Sequence, residues 1–164
     1  MRIVRLGPDD VGPFLNLRGQ ALDGDPDAFR YTTADDRRAG EAAWRERLRR
    51  DYVIGAVADE GLIGIGGFAR LTGDKIDHKG LIWGMYVRPE ARGRGVADAL
   101  MLALLEHARA RVRLVQLTVM ADNPRARAFY ERHGFRLYGV EPQAVRQGGE
   151  LRDEALMWLP LVAG

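Results

Sequence analysis

The segment Val87-Arg-Pro-Glu-Ala-Arg-Gly-Arg-Gly-Val-Ala-Asp98 decides the fold, because it joins a predicted strand to a predicted helix. The apolar run 81–87 before it is typical of a buried strand, and residues 96–110 after it have apolar side chains at helical spacing. The two glycines leave backbone N–H groups of this turn accessible, and the helix dipole adds partial positive charge there. The arginines beside them add cations. The segment therefore predicts a site for a phosphate-bearing ligand.

Three known phosphate-binding patterns compete for this turn. A P-loop requires Gly-Lys-Ser/Thr, whereas the sequence has Gly95-Val-Ala. A dinucleotide fingerprint requires Gly or Ala at the position of Asp98, whose charge would repel a pyrophosphate. The third pattern, Arg/Gln-x-x-Gly-x-Gly/Ala, is matched by Arg92-Gly-Arg-Gly95-Val-Ala97. On this motif alone, an ordinary solvated turn stays open, with glycine serving geometry and arginine solubility.

A second motif follows the next predicted strand, residues 113–120. It reads Asn123-Pro-Arg-Ala-Arg-Ala-Phe-Tyr-Glu-Arg-His-Gly-Phe135. Together the two motifs resemble the GCN5-related N-acetyltransferase (GNAT) family, which has Asn-x-x-Ala-x-x-Phe-Tyr-x-x-x-Gly-Phe at this place. The resemblance implies an acyltransferase that takes acetyl-coenzyme A (acetyl-CoA) as cosubstrate and transfers its acetyl group to a primary amine.

The resemblance also implies a mixed α/β (α+β) fold. We expect a mostly antiparallel central sheet of six or seven strands, about four flanking helices and a parallel strand pair that splays apart. The whole chain, residues 1–164, is expected to form a single acetyl-CoA-dependent N-acetyltransferase domain. Along the chain, we predict a loop at 23–33 and a final hairpin of strands 135–140 and 155–161, joined by a polar linker at 141–152.

The resemblance assigns contacts with the coenzyme. Its pyrophosphate would lie at the glycine turn from Arg92 to Ala97, and the coenzyme would contact the backbone N–H groups of Val87, Arg94, Gly95, Val96 and Ala97. Asn123 matches the residue that hydrogen-bonds the pantetheine arm, and it also fits a helix N-cap. Arg125 and Arg127 either reach the adenosine 3′-phosphate or are merely solvated.

Tyr130 matches the residue that donates a proton to the departing thiolate. A tyrosine pKa of ~10 keeps the hydroxyl protonated at pH 7 and lies near the thiol value of ~8.5. Because the chain has no cysteine, we expect direct attack of the amine on the thioester, without an acyl-enzyme. Of the neighbouring residues, Phe129 is predicted to pack into the core and His133 to lie on the surface.

The motifs do not identify a base for the amine. Many family members carry a carboxylate on the strand before the glycine turn, and residues 81–87 have none. Tyr86 is a candidate for the acceptor side. The other candidates, for a base or for binding a cationic substrate, are Asp74, Asp77, His78 and Glu90, and the early-loop residues Asp25, Asp27, Asp35 and Asp36. At pH 7 about a sixth of an α-amine is neutral, against less than ~0.1% of a lysine amine, so the need for a base depends on the acceptor.

Composition restricts the other classes of protein. The formal net charge is only +2, with basic and acidic residues interspersed, so we expect no nucleic-acid partner. A basic-helix binder that uses Arg92, Arg94, Arg125 and Arg127 is the least favoured alternative. No apolar run approaches the ~18 residues of a membrane helix, so we expect no membrane partner and a cytoplasmic location.

The remaining expectations concern ligands and partners. The three histidines lack metal-ligand spacing, so no metal is expected. The expected partner is a small-molecule or peptide amine, and a homodimer stays open. The alternative function is a catalytically silent acetyl-CoA-binding sensor of the same fold.

Overall fold

The computed structural model describes residues 1–161, which form a seven-stranded sheet and five α-helices. The strands are Arg2–Leu6 (β1), Tyr52–Ala58 (β2), Gly61–Arg70 (β3), Lys79–Val87 (β4), Leu114–Met120 (β5), Arg136–Gln147 (β6) and Glu150–Pro160 (β7). The helices are Val11–Gly24 (α1), Thr33–Ala39 (α2), Glu41–Arg50 (α3), Val96–Arg109 (α4) and Pro124–Arg132 (α5).

The sheet has the strand order β1-β2-β3-β4-β5-β7-β6. Every pair is antiparallel except β4 with β5, which are parallel and joined through α4. Parallel neighbours need a long crossover, usually a helix, and the 14-residue α4 supplies it. The predicted mixed, mostly antiparallel sheet is confirmed.

Two segments differ from the sequence-based expectation. Helix α2 was not predicted, and it begins in a capping box: the Thr32 hydroxyl accepts from the N–H of Asp35, while the Asp35 carboxylate accepts from the N–H of Thr32 at 2.8 Å. The predicted linker at 141–152 is wrong, because β6 and β7 continue through most of it to a turn at Gly148 and Gly149. These edge residues are mostly exposed, so they carry polar side chains that lack a strand-like apolar pattern.

Helices cover both faces of the sheet. The buried side of α4 consists of apolar residues at helical spacing, namely Val96, Leu100, Met101, Leu104, Leu105 and Ala108. Helix α4 lies so close to β3 that a Cβ on Gly66 would be 3.0 Å from Leu104 Cδ1. On the other face, Phe14 of α1 and Trp44 of α3 pack with their ring centroids 5.5 Å apart. Neighbouring strand residues Val53 and Ile54 belong to different cores, as strand alternation requires.

The parallel pair β4–β5 separates along its length. Its register covers only three residue pairs, the last being Leu81 with Gln116. Beyond this point comes Gly84, whose φ of +65° is left-handed, and the register of β4 with β3 shifts at the same place. A bulge bends a strand and increases its twist. The carboxyl-terminal halves of β4 and β5 therefore diverge, as the predicted splayed pair requires.

His107 of α4 makes the stability of the fold sensitive to pH. Its ring stacks on Tyr52 with centroids 3.5 Å apart. Burial first, and then the charges of Arg111 and Arg5, lower the pKa of His107 from 6.5 to about 4. Between these values the unfolded chain binds the proton and the folded chain does not, so this contribution to stability is present above pH 6.5 and is lost as pH falls.

We expect His107→Phe, which keeps a stacking ring, to remove part of the acid sensitivity. From pH 7 to pH 4.5 the free energy of unfolding of the native chain should fall by roughly 1–2 kcal/mol more than that of the variant. This range is smaller than the full pKa shift implies, because the ring is partly solvated. Urea unfolding at both pH values measures the difference. Equal losses in the two chains would contradict the assignment to His107.

Candidate functional site

A cavity of about 570 Å³ opens where β4 and β5 diverge. It lies between the end of β4, the first turn of α4, helix α5 and the segment between α1 and α2. Its lining residues are Gly24, Asp25, Ala28, Phe29, Met85, Tyr86, Val87, Pro89, Arg92, Ala97, Thr118, Val119, Asn123, Arg125, Ala126, Phe129 and Tyr130. The sequence motifs therefore meet at the carboxyl ends of two parallel strands, where open α/β sheets bind ligands.

The first turn of α4 borders this cavity through Ala97, whereas the preceding residues Gly93, Arg94 and Gly95 are not part of its lining. Gly95 is the N-cap residue, with φ +76° and no side chain that caps the helix. The N–H of Ala99 donates to the carbonyl oxygen of Gly95 at 3.0 Å, so the three amides before it belong to a first turn without intrahelical acceptors. A Cβ on Gly93 or Gly95 would meet no atom within 4 Å. The turn is thus open to an anionic ligand.

The predicted phosphate-binding residues lie at different depths around this turn. Arg92 lines the cavity, where its Nε donates to the carbonyl oxygen of Val87 at 3.0 Å and its guanidinium lies 3.8 Å from Asp25. Ala97 also lines the cavity. Arg94 is exposed on the adjoining loop, and the Val96 side chain is buried in the core. For Val96, only the backbone is available to a ligand.

Asn123 lies at the N-terminus of α5 and caps it, as predicted. Its Oδ1 accepts from the N–H of Ala126 at 3.0 Å, which leaves the amide nitrogen for another partner. Arg125 lines the cavity. Arg127 instead pairs with Glu131 at 3.5 Å across one turn of α5, so only Arg125 of these two arginines borders the cavity.

Tyr130 projects from α5 into the gap between the strands. Its ring contacts Phe129 and Phe135, with centroids 5.3 and 5.9 Å away. Burial raises the pKa of Tyr130 to about 12, so the phenol stays protonated. Phe129, predicted as a core residue, packs against the core but also lines the cavity. His133 is not the surface residue predicted: its side chain is 11% exposed, and its Nε2 hydrogen-bonds Asp98 Oδ1 at 2.9 Å.

A second cavity, of about 260 Å³, lies on the other side of the gap. It shares Ala28, Phe29, Met85, Thr118, Val119 and Tyr130 with the first cavity. Its other lining residues are Arg18, Arg30, Tyr31, Arg47, Leu81, Ile82, Trp83, Gly84, Leu117, Met120 and Glu154. The two cavities therefore meet beside the Tyr130 ring.

Glu154 of β7 is a site residue that the sequence reasoning missed. Its side chain is 4% exposed and pairs with Arg30, whose Nε donates to Oε1 at 3.3 Å while Nη2 contacts Oε2. Glu154 lies opposite Met120 in the β5–β7 register, which brings it to the gap. Its one sequence signal is a charged residue directly before a buried apolar strand segment, and that pattern is common on sheet surfaces.

Of the acidic residues and the histidine that the sequence suggested as a base or as substrate ligands, only Asp25 lines either cavity. Asp25 lines the first cavity, on the side of Arg92. Asp36 pairs with Arg18, and Asp35 caps α2. Neither cavity is lined by the remaining candidates, Asp27, Asp74, Asp77, His78 and Glu90. Tyr86, proposed for the acceptor side, lines the first cavity and not the second.

Residues 1–161 contain neither a metal-ligand cluster nor a membrane-spanning helix. No group of three or more His, Asp or Glu side chains in this range is placed to hold a metal ion. No helix in the same range is long and apolar enough to cross a bilayer.

The sequence of residues 20–135 matches the model of the acetyltransferase (GNAT) family. Because this match covers more than half of the chain, the chain belongs to the GNAT family of acetyltransferases. The resemblance drawn from the two motifs is confirmed. No curated protein matches the chain.

Solved structures of low sequence identity share the fold. A GNAT-family acetyltransferase from Streptococcus pneumoniae is 19% identical, with a TM-score of 0.84 over 98% of each chain. The Salmonella typhimurium protein yncA, solved with acetyl-CoA, is 20% identical, with a TM-score of 0.80 over 98% of this chain and 94% of its own. A phosphinothricin acetyltransferase from Sinorhizobium meliloti, in complex with acetyl-CoA, is 19% identical, with a TM-score of 0.78 over 99% of this chain and 89% of its own.

Proposed function

We propose that residues 1–164 act as one domain that transfers the acetyl group of acetyl-CoA to a primary amine by direct attack. The observation that carries the proposal is the position of Tyr130, which lines both cavities where β4 and β5 diverge. The first cavity reaches the first turn of α4, which suits a pyrophosphate. The second cavity is lined by charged side chains and would hold the second reactant. A donor and an acceptor that occupy the two cavities would meet beside this hydroxyl.

The hydrogen-bonding groups around the first cavity support acetyl-CoA as its occupant. The first turn of α4 offers amides and partial positive charge to the pyrophosphate, and the open space at Gly95 allows its close approach. Where β4 and β5 diverge, main-chain groups can pair with the amides of pantetheine, as sheet edges pair with peptides. The free amide nitrogen of Asn123 borders the same gap.

Tyr130 is proposed to assist departure of the thiol. Bound in the first cavity, acetyl-CoA would supply a thioester, whose carbonyl carbon bonds to the amine nitrogen as its C–S bond breaks. With its pKa raised to about 12, Tyr130 keeps its hydrogen and donates a hydrogen bond to the developing thiolate. A free thiol has a pKa of ~8.5, and desolvation in the same cavity raises that value toward the tyrosine. Proton transfer to sulfur then completes the step, and the proton lost by the attacking nitrogen passes through solvent to restore the Tyr130 phenol.

Acetyl transfer can be measured as free CoA thiol with a thiol-reactive dye. The chain contains no cysteine, so every thiol detected comes from CoA. We expect thiol release that requires both the protein and an amine from a panel of amino acids, amides, polyamines and peptides. Tight binding of acetyl-CoA with release at the uncatalysed rate for every amine would instead support the sensor function.

A further inference from the structure

The second cavity has an excess of positive charge. Its ionic lining residues are Arg18, Arg30, Arg47 and Glu154. Arg30 and Glu154 pair with each other, so their charges cancel inside the cavity. Arg18 and Arg47 have carboxylate partners, Asp36 and Asp51, that do not line the cavity. In each of these two ion pairs, the arginine and not the carboxylate faces the cavity.

Arg18 is held rigidly with one nitrogen at the cavity wall. Its Nε and Nη2 donate to Asp36 at 2.7 and 3.2 Å, its guanidinium carbon lies 4.5 Å from the ring centroid of Trp44, and its side chain is only 7% exposed. The remaining nitrogen, Nη1, lies 3.9 Å from the position that a Cβ on Gly84 would take. Because Gly84 lines the cavity and has no side chain, Nη1 is a donor that a ligand can reach.

Arg47 is held by stacking, and its Nη groups are free to donate hydrogen bonds. Its guanidinium carbon lies 3.8 Å from the ring centroid of Trp83, and its Nε donates to Asp51 at 3.2 Å. Asp51 also accepts from Arg50 at 2.9 Å, so one carboxylate serves two arginines. Within residues 1–161, the Nη groups of Arg47 have no hydrogen-bond partner. Burial lowers the pKa of Arg47, as expected for a cation that lacks full compensation.

We propose that the acceptor is a small amine that carries a carboxylate, of the α-amino acid class, and that Arg18 and Arg47 bind this carboxylate. The inference rests on the proposed acetyl transfer. Two guanidinium groups with free N–H donors, both lining one cavity, can together bind a carboxylate. The amine then lies toward the gap at Tyr130.

The cavity disfavours other acceptor classes. A polyamine would bring like charge against Arg18 and Arg47 in a poorly solvated site, where repulsion is strong. The volume of about 260 Å³ lies below the ~300–1,000 Å³ of drug-sized ligand pockets. It suits one amino acid better than an extended peptide.

The test compares L-amino acids with their carboxamides, which keep the α-amine and lose the anion. We expect at least one amino acid for which kcat/KM exceeds that of its amide by about 100-fold. In Arg47→Met and Arg47→Lys, kcat/KM for the acid should fall about 10- to 100-fold, while that for the amide changes less than about 3-fold. Arg49→Met is the control, because Arg49 is exposed on the same helix and pairs with Glu46. Thermal unfolding checks each fold.

The outcomes separate this inference from acetyl transfer itself. Amides acetylated as fast as acids, or equal losses for both in Arg47→Met, would overturn the carboxylate site and leave acetyl transfer standing. If no amine is acetylated, the carboxylate site is tested by calorimetry, which measures binding of the same amino acids to CoA-loaded protein. Binding weakened at least about tenfold by Arg47→Met supports the site, and absence of binding up to about 10 mM overturns it.

Discussion

Tyr130→Phe should lower kcat for acetyl transfer by about 10²- to 10³-fold, the range expected when a general acid is removed. The dissociation constant for acetyl-CoA should change less than about threefold, because the phenyl ring keeps its contacts with Phe129 and Phe135. The hydroxyl acts on charge that develops only at the departing sulfur. Its loss therefore affects turnover and not ground-state binding.

Steady-state kinetics and calorimetry measure the two effects of Tyr130→Phe separately. The matched control is Tyr138→Phe, because Tyr138 is an exposed tyrosine of β6 whose hydroxyl accepts from Gln116 at 3.2 Å. Since the pKa of Tyr130 is raised to about 12, its ionisation should not lower the rate below about pH 11. Turnover equal to that of the native chain, or a fall in rate near pH 10 that Tyr130→Phe abolishes, would remove Tyr130 from the proposed role.

Gly95→Val should weaken acetyl-CoA binding by at least about 100-fold. The added side chain enters space where an added Cβ meets no protein atom within 4 Å, and this is the space proposed for the pyrophosphate. It also forces a branched residue to φ +76°, which costs about 1–2 kcal/mol of stability. Both effects can be measured, by calorimetric titration with acetyl-CoA and by urea unfolding.

A second glycine variant separates ligand exclusion from backbone strain. Gly61, the first residue of β3, has φ +99°, and an added Cβ there would also meet no atom within 4 Å. Unlike Gly95, Gly61 does not belong to the turn that begins α4. Gly61→Val should therefore lose a similar amount of stability and keep native affinity for acetyl-CoA. Normal binding by Gly95→Val would place the pyrophosphate away from this turn.

The local geometry of the proposed coenzyme side could be predicted from sequence. The left-handed Gly95, the first turn of α4 and the Asn123 cap each depend on a few consecutive residues. The splayed strands were predicted from the family resemblance, and the structure adds a physical cause in the bulge at Gly84. The continuation of β6 and β7 through most of residues 141–152 was not predicted, because exposed edge strands do not require alternating apolar residues.

The proposed acceptor cavity could not be predicted because its residues converge from distant parts of the chain. Arg18 comes from α1, Arg47 from α3 and Glu154 from β7, and they meet only through packing and the strand order β4-β5-β7. In sequence, each resembles an ordinary solvated charge. Their burial and their pairing with Asp36, Asp51 and Arg30 appear only in the folded chain.

The most direct measurement for the proposed acetyl transfer is the mass of an amine incubated with acetyl-CoA and the purified protein, read together with the thiol released. The proposal predicts at least one amine that gains a single acetyl group, with one thiol formed for each acetylated molecule, and an initial rate proportional to protein concentration. Acetyl-CoA that remains intact with every amine, although calorimetry detects its binding, would contradict the proposal that this GNAT chain catalyses acetyl transfer.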